Sequence, residues 1–289
     1  MQILQFKHRV SPPVSGERAR IKPLKVALLL AAGVGILTVF SFAANVLALR
    51  DFPHAQKLQA IFSVDEEDSI ATWWSALTLA GLGLLTWCIG SLRIGDQPTQ
   101  RLAWRLLALG FVFLSMDEAC RLHERIGGLV SIGGTFEHAR WILLWLPLAA
   151  IPASVIFWKL WRASPQVVVG LILGAGVFLS GAVGVETFNG VYRMKSEVAA
   201  THLADSGVDT GKPHDRTGKQ NMRYVAGTAV EECLEMFGVV VWYGVLFGAY
   251  RKAQSAEAAV RNEPPSLDPI HTIRPSTDPA MTDLRRASV

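Results

Sequence analysis

Six apolar runs dominate this sequence, at about 26–49, 69–92, 102–121, 141–161, 166–187 and 225–250, each bounded by charge, proline or a polar stretch. Each can cross a hydrocarbon layer of roughly 30 Å, which takes about 20 helical residues. A backbone in lipid has no water to bond, so such runs become helices that satisfy their own polar groups. The expected fold is therefore all-α, a polytopic membrane bundle of six transmembrane helices occupying residues 26–252. Composition agrees. Of 289 residues 51% are hydrophobic and only 18% charged, where soluble domains carry about 25%, which argues against a soluble enzyme.

The net charge is +4 and the pI about 9.1, but the basic residues lie in tails and loops beside apolar runs, as membrane topology requires. No nucleic-acid footprint is visible. Lys7, Arg9, Arg18, Arg20, Lys22 and Lys25 precede the first run, Arg93, Arg101 and Arg105 flank the third, Lys159 and Arg162 close the fourth, and Arg251 and Lys252 follow the sixth. These segments are expected on the cytoplasmic side of an inner membrane. The stretch 50–68, with Asp51, Asp65, Glu66, Glu67 and Asp68, is expected outside, with the acidic run as a solvated helix start capped by Ser63 or Asp65. Residues 188–223 are also expected outside, although their six basic residues weaken the pattern.

Six spans then leave both termini cytoplasmic. Residues 1–25 form a basic N-terminal segment, and the first run exceeds the roughly 7–15 apolar residues of a secretory signal, which points to an uncleaved anchor. Residues 253–289, rich in Pro, Ser and Thr, are expected to be a disordered tail. In the fifth run Gly170 and Gly174 stand in GxxxG spacing, with Gly181 and Gly184 beyond them, a pattern that lets helix backbones approach closely. Cys88, Cys120 and Cys233 lack metal or disulfide spacing and read as free thiols. The apolar connection 126–136, with a Gly-Gly pair at each end, is an interfacial loop or a lid.

Ionisable groups inside spans cost about 2.5–3.5 kcal/mol each on insertion scales and face a bundle interior or cavity. The third run ends "FLSMDEACRLHERIGG", the fifth "GAVGVETFNG", and the sixth begins "VAGTAVEECLEMFG". Counted from their cytoplasmic boundaries, these place Asp117, Glu118, Glu186, Glu231, Glu232 and Glu235 near one depth, toward the outer face. At 100° per residue Glu231, Glu232 and Glu235 are neighbours on one helix. On the third run Asp117, Cys120, Arg121 and Glu124 share a face, with Glu118 to one side and His123 beyond Cys120 on the other. Like carboxylates repel in a low dielectric unless a cation, a shared proton or an arginine neutralises them; Arg121 and Arg125 suffice for two.

Carboxylates with one imidazole suit a hard or borderline divalent ion such as Fe, Mn or Zn, which makes Asp117, Glu118, His123, Glu186, Glu231, Glu232 and Glu235 candidate metal ligands. The pattern is similar to carboxylate-bridged di-metal sites in helical bundles, but the Glu-x-x-His motif of those sites is missing. The functional expectation is a metal-dependent membrane enzyme, an oxidoreductase or hydrolase, acting on a lipid-like or membrane-soluble substrate with Glu118 and His123 catalytic. A proton- or cation-coupled transporter and a non-catalytic subunit that pairs its buried charges with a partner are the alternatives. Cys120 and Cys233 beside the acidic residues suggest that spans three and six are neighbours.

Overall fold

The computed structural model describes residues 21–66, 68–92, 98–127, 140–192 and 222–262, and these form helices and turns without a strand. Helix α1 (Pro23–Leu49) opens on a proline, whose missing N–H is harmless in a first turn. A short α2 (Ala55–Phe62) follows. Helix α3 (Ile70–Ser91) is capped by Ser69, whose side chain accepts from the Thr72 N–H. That corrects the expected cap, since Ser63 is instead turned inward to bond Asn45. Helices α4 (Pro98–Cys120), α5 (Leu122–Gly127) and α6 (Arg140–Trp161) come next. Helix α7 (Pro165–Leu179) passes through a π-helical turn, Ser180–Val185, and continues to Tyr192. Helix α8 (Met222–Asn262) is the last described element.

Each expected span coincides with one long helix. Four of them, α1, α3, α7 and α8, are long and apolar enough to cross a membrane. In α4 the apolar centre lies between Arg101 and Arg105 at one end and Asp117 and Glu118 at the other, and the apolar part of α6 is shorter, Trp145–Trp161. Helix α8 runs on through Asn262, so the tail expected from residue 253 begins later. Residues 1–20, 263–289 and nearly all of the proposed lid lie outside the described residues.

The long helices run alternately up and down. Arg251 of α8 donates to the Ile21 carbonyl before α1 (3.0 Å), and at the opposite end Tyr224 of α8 donates to Asp65 after α2 (3.1 Å). The core is shared by Leu79, Leu82 and Ile89 of α3, Trp104 and Phe111 of α4, Leu160 of α6, Leu171 of α7 and Trp242 and Leu246 of α8. Apolar side chains also cover the outside, among them Leu28, Leu29 and Val39 of α1 and Leu143, Leu148 and Ile151 of α6. A bundle apolar on both its inner and outer surfaces suits lipid rather than water.

Close contact between α7 and α8 relies on small residues, as the glycine spacing predicts. Gly170 faces Val245, Gly174 lies under the Trp242 indole, and Gly181 meets the main chain of Glu231. The Trp242 Nε1–H donates to the Leu171 carbonyl (2.9 Å), and its ring meets Phe111 edge-on and stacks on Phe178. Tyr243 donates to the Thr78 carbonyl (2.9 Å) over Gly81, where a Cβ would collide with the phenol. A Cβ at Gly238 would lie 2.8 Å from the Gly174 carbonyl and 2.7 Å from the Phe178 Cβ. Gly238→Ala should therefore lower stability by about 1–3 kcal/mol through overpacking. Gly176→Ala, where nothing lies within 4 Å, should be neutral or slightly stabilising; thermal unfolding of both variants in detergent checks the contrast.

Candidate functional site

The helix of the third span does not run on unbroken through His123. Helix α4 stops at Cys120 because Arg121 takes a left-handed conformation (φ 49°), and α5 restarts at Leu122. A bulky residue at such a φ is strained and persists only where its surroundings enforce it. Asp117 supplies part of that enforcement. Its Oδ1 accepts the His123 backbone N–H (2.8 Å) and its Oδ2 meets His123 Nδ1 (2.9 Å). The bend thus folds His123 back over Asp117, correcting the continuous-helix expectation that put them on different faces. An ionised Asp117 places the ring proton on Nδ1 and the basic lone pair on Nε2. Both Asp117 oxygens are thereby engaged by His123, so Asp117 orients the imidazole rather than acting as a separate ligand.

The π-helical turn does comparable work on α7. An inserted residue turns everything beyond it by about 100°, and after it Glu186 and Asn189 face the chamber beside α8. Asn189, 6% exposed, donates to Glu231 Oε2 (3.1 Å) and fills the space over Gly227, where a Cβ would collide with the amide. On α8, Tyr224, Thr228, Glu231 and Glu235 follow one another at helical spacing and form a polar stripe. From the α2–α3 connection Asp65 reaches the same region. Its loop is pinned by Asn45 on Ser63 (3.1 Å), Gln59 on Asn45 (2.9 Å) and the Val64 N–H on Ser41 Oγ (2.9 Å).

These groups line a chamber of about 1320 Å³ between α3, α4, α6, α7 and α8. All seven candidate residues, Asp117, Glu118, His123, Glu186, Glu231, Glu232 and Glu235, are half-buried in its wall, so the convergence expected of three helices is present. Asp65, Asn189, Tyr224 and Thr228 join them. Asp65 was expected in a solvated run, whereas Thr228 and Tyr224 could have been found by extending the Glu231 stripe backwards along α8. The basic side chains in the wall are Arg121 and His123. The charges acting on Glu232 come from Glu118, Glu231, Asp65 and Glu186, and those on Glu235 from Glu232, Glu118, Glu231 and Glu186. Ser75 of α3 lies near the Glu118 carboxyl.

Among the described residues no three His, Cys, Asp or Glu side chains stand where they could hold one ion, so the expected divalent metal gains no support. The carboxylates are spread along the wall of a large chamber rather than gathered round a point. Helix α4 meets α8 through side chains, Phe111 on Trp242 (5.1 Å between ring centres), while α3 packs against both. Cys120 is exposed, and all three cysteines are free thiols.

The family model for a domain of unknown function, DUF8692, matches residues 26–249, which include every chamber residue named above. The chain belongs to this family. No curated protein and no solved structure matches it. For this DUF8692 chain the Asp117 clamp makes a spectroscopic prediction. Nitrogen NMR of histidine-labelled protein should find His123 with its proton on Nδ1, and Asp117→Ala should convert it to a tautomer mixture and lower stability by about 0.5–2 kcal/mol through loss of the α5 cap.

Proposed function

We propose that this protein is a six-span integral membrane enzyme of the inner membrane, with both ends cytoplasmic and the chamber near the outer face, that performs acid–base chemistry on a membrane-soluble molecule. The Asp117–His123 pair in the wall of a chamber with one polar and one apolar side carries this reading. His123 Nε2 takes or returns the proton, and the Asp117 carboxylate stabilises the imidazolium that results. Glu118, on the same helix as Asp117, is the second acid–base group. The apolar side, formed by Leu106, Leu109 and Phe113 of α4 with Leu146 and Leu148 of α6, suits the hydrocarbon part of a substrate arriving from the bilayer.

Helices α4 and α6 pack into the same bundle as the four apolar helices and carry outward-facing apolar side chains, Leu102 and Val112 on one and Leu143 and Val155 on the other, which supports six crossings. Among the described residues no three acidic, cysteine or imidazole side chains stand where they could hold one ion, and the mechanism is built on protons and on this chain's own residues. Single cysteines introduced near Lys22 and Asn262 should resist an impermeant thiol reagent in intact cells, whereas one at Phe52 should react; reaction at Asn262 would overturn the orientation.

The activity itself is tested on lipid extracts from cells that express the protein. At least one lipid-soluble species should change with the parent protein and revert with His123→Ala or Glu118→Gln, each of which should lower the rate by about 10²–10⁴. Both variants should remain inserted. Extracts identical between parent and variants would sink the enzyme reading, ion flux into liposomes would favour the transporter, and stoichiometric bound Fe, Mn or Zn would restore the metal.

A further inference from the structure

The chamber has one wall that is held at its ends and loosely supported between them. Helix α6 forms this wall. Its second half is fixed in the core by Ile156 and Leu160, 7% and 0% exposed, and α5 packs against its opening turns. In between, Leu146, Leu148, Ile151 and Val155 are all exposed. Leu146, Ala149 and Ala153 border the chamber, whereas Ile151 and Val155 lie on the opposite face at 100° per residue. This stretch is therefore a partition one helix thick between the chamber and the bilayer.

The backbone of the partition is weakened as well. Pro147 and Pro152 lie inside the helix, and each removes the hydrogen bond to the carbonyl four residues back. Ser154 donates its hydroxyl to the Ala150 carbonyl (2.7 Å), a contact that tends to bend a helix. Across to α4 the partition is closed by two rings, Trp145 and Phe113, whose centres are 5.3 Å apart. Such a ring pair parts without leaving a charge or a hydrogen bond unmet.

The chamber behind it is laid out like one leaflet of the bilayer. His123 and Asp117 stand at one end, and along α4 the wall turns apolar through Leu114, Phe113, Leu109 and Leu106. From Asp117 to Leu106 helix α4 rises about 16 Å, and one leaflet's share of a hydrocarbon core is roughly 15 Å. The volume, about 1320 Å³, exceeds the roughly 300–1,000 Å³ of pockets for compact ligands. Water in the apolar part would hydrate leucine and phenylalanine side chains unfavourably. An alkyl chain matches them.

Resting on the membrane-enzyme reading above, we propose that the substrate carries a hydrocarbon chain of leaflet length, which lies along α4 with the reacting group beside His123 and enters sideways from the bilayer as α6 bows outward between Pro147 and Pro152. Phe113 and Trp145 are the latch of that entrance. Head and chain keep the depth they have in the leaflet, so the head group crosses no hydrocarbon on the way in.

The test places the full chain in phosphatidylcholine vesicles with hexadecanol that carries a photoreactive diazirine on its chain, and reads the labelled residues by mass spectrometry. Label should appear on Leu114 and Phe178, which line the chamber, and on Leu29, which is exposed on α1. When Phe113→Cys and Trp145→Cys are joined by a short bis-methanethiosulfonate, the label on Leu114 and Phe178 should be lost and should return on reduction, with Leu29 unchanged. Parent protein treated with the same reagent controls for Cys88, Cys120 and Cys233. Trp145→Ala should speed chamber labelling about two- to tenfold, the population change expected for a lost ring pair. Pro152→Ala, which restores the backbone bond to the Leu148 carbonyl, should slow it, and these two variants decide the matter if the double-cysteine protein folds poorly. Chamber label that survives the link, or rates unmoved by both single variants, would overturn the entrance; no chamber label in the parent would overturn the bound chain as well. Neither result touches proton transfer at His123, which the lipid extracts test separately, and unchanged extracts with chamber label present would overturn the chemistry and leave the chain site standing.

Discussion

The close approach of α7 to α8 is the constraint on which the chamber depends. In lipid, apolar side chains gain nothing by leaving hydrocarbon for one another, so helices associate where small residues let main chains come near and where shape and a few hydrogen bonds favour contact. Here Gly174, Gly181 and Gly238 open that space, and Trp242 fills the remainder between Phe111 and Phe178 with its N–H on the Leu171 carbonyl. The contact also fixes the orientation of the polar groups. Gly181 lies inside the π-helical turn and against the Glu231 main chain, so the residue that permits contact also belongs to the turn that brings Asn189 to Glu231.

The same geometry explains how so many carboxylates coexist in a bundle of this composition. They do not occupy the tight interior, where Leu79, Leu82, Leu171 and Leu246 pack. They line a chamber roomy enough for water or a ligand, and polar neighbours satisfy individual members: Asn189 on Glu231 and Tyr224 on Asp65. Asp117 stands apart because its charge is committed to His123. One end of the chamber thus holds the Asp117–His123 pair beside carboxylates from α4, α7 and α8.

Much of the helical architecture was legible because long apolar runs have only one solution in lipid. Each of the six runs became a helix within a few residues of its expected bounds, with α8 alone extending well beyond. The shared level of Asp117, Glu186 and Glu231 was also legible, since it follows from helix length. What a uniform 100° periodicity cannot contain is a break. Arg121 carries no glycine or asparagine signature for a left-handed turn, so His123 was assigned to the wrong side of Asp117, and the π-helical turn in "SGAVGV" is equally silent. Asp65 was misjudged for another reason: its loop is drawn inward by Ser41, Asn45 and Ser63, contacts between elements that a linear pattern does not reveal. The metal expectation gains no support among the described residues for a related reason, since shared depth fixes a level and not a common point.

The two ends of the bundle differ in charge as well as in packing. At the end where Ile21 meets Arg251, guanidinium groups lie over indole rings, Arg105 on Trp87 (5.3 Å) and Arg162 on Trp158 (5.6 Å), an arrangement that suits the headgroup layer, where arginine and tryptophan both concentrate. At the opposite end Asp65, Glu118, Glu186 and Glu231 line the chamber with Arg121, and Arg223 lies over the Tyr192 ring (5.8 Å). In the proposed orientation the basic end is retained on the cytoplasmic side and the acidic end is carried across. Orientation and chemistry are then set by one asymmetry. Reversing the flanking charges would turn the carboxylate chamber toward the other leaflet, so in that orientation the residues that anchor the bundle also decide from which side a membrane-soluble molecule can reach the chamber.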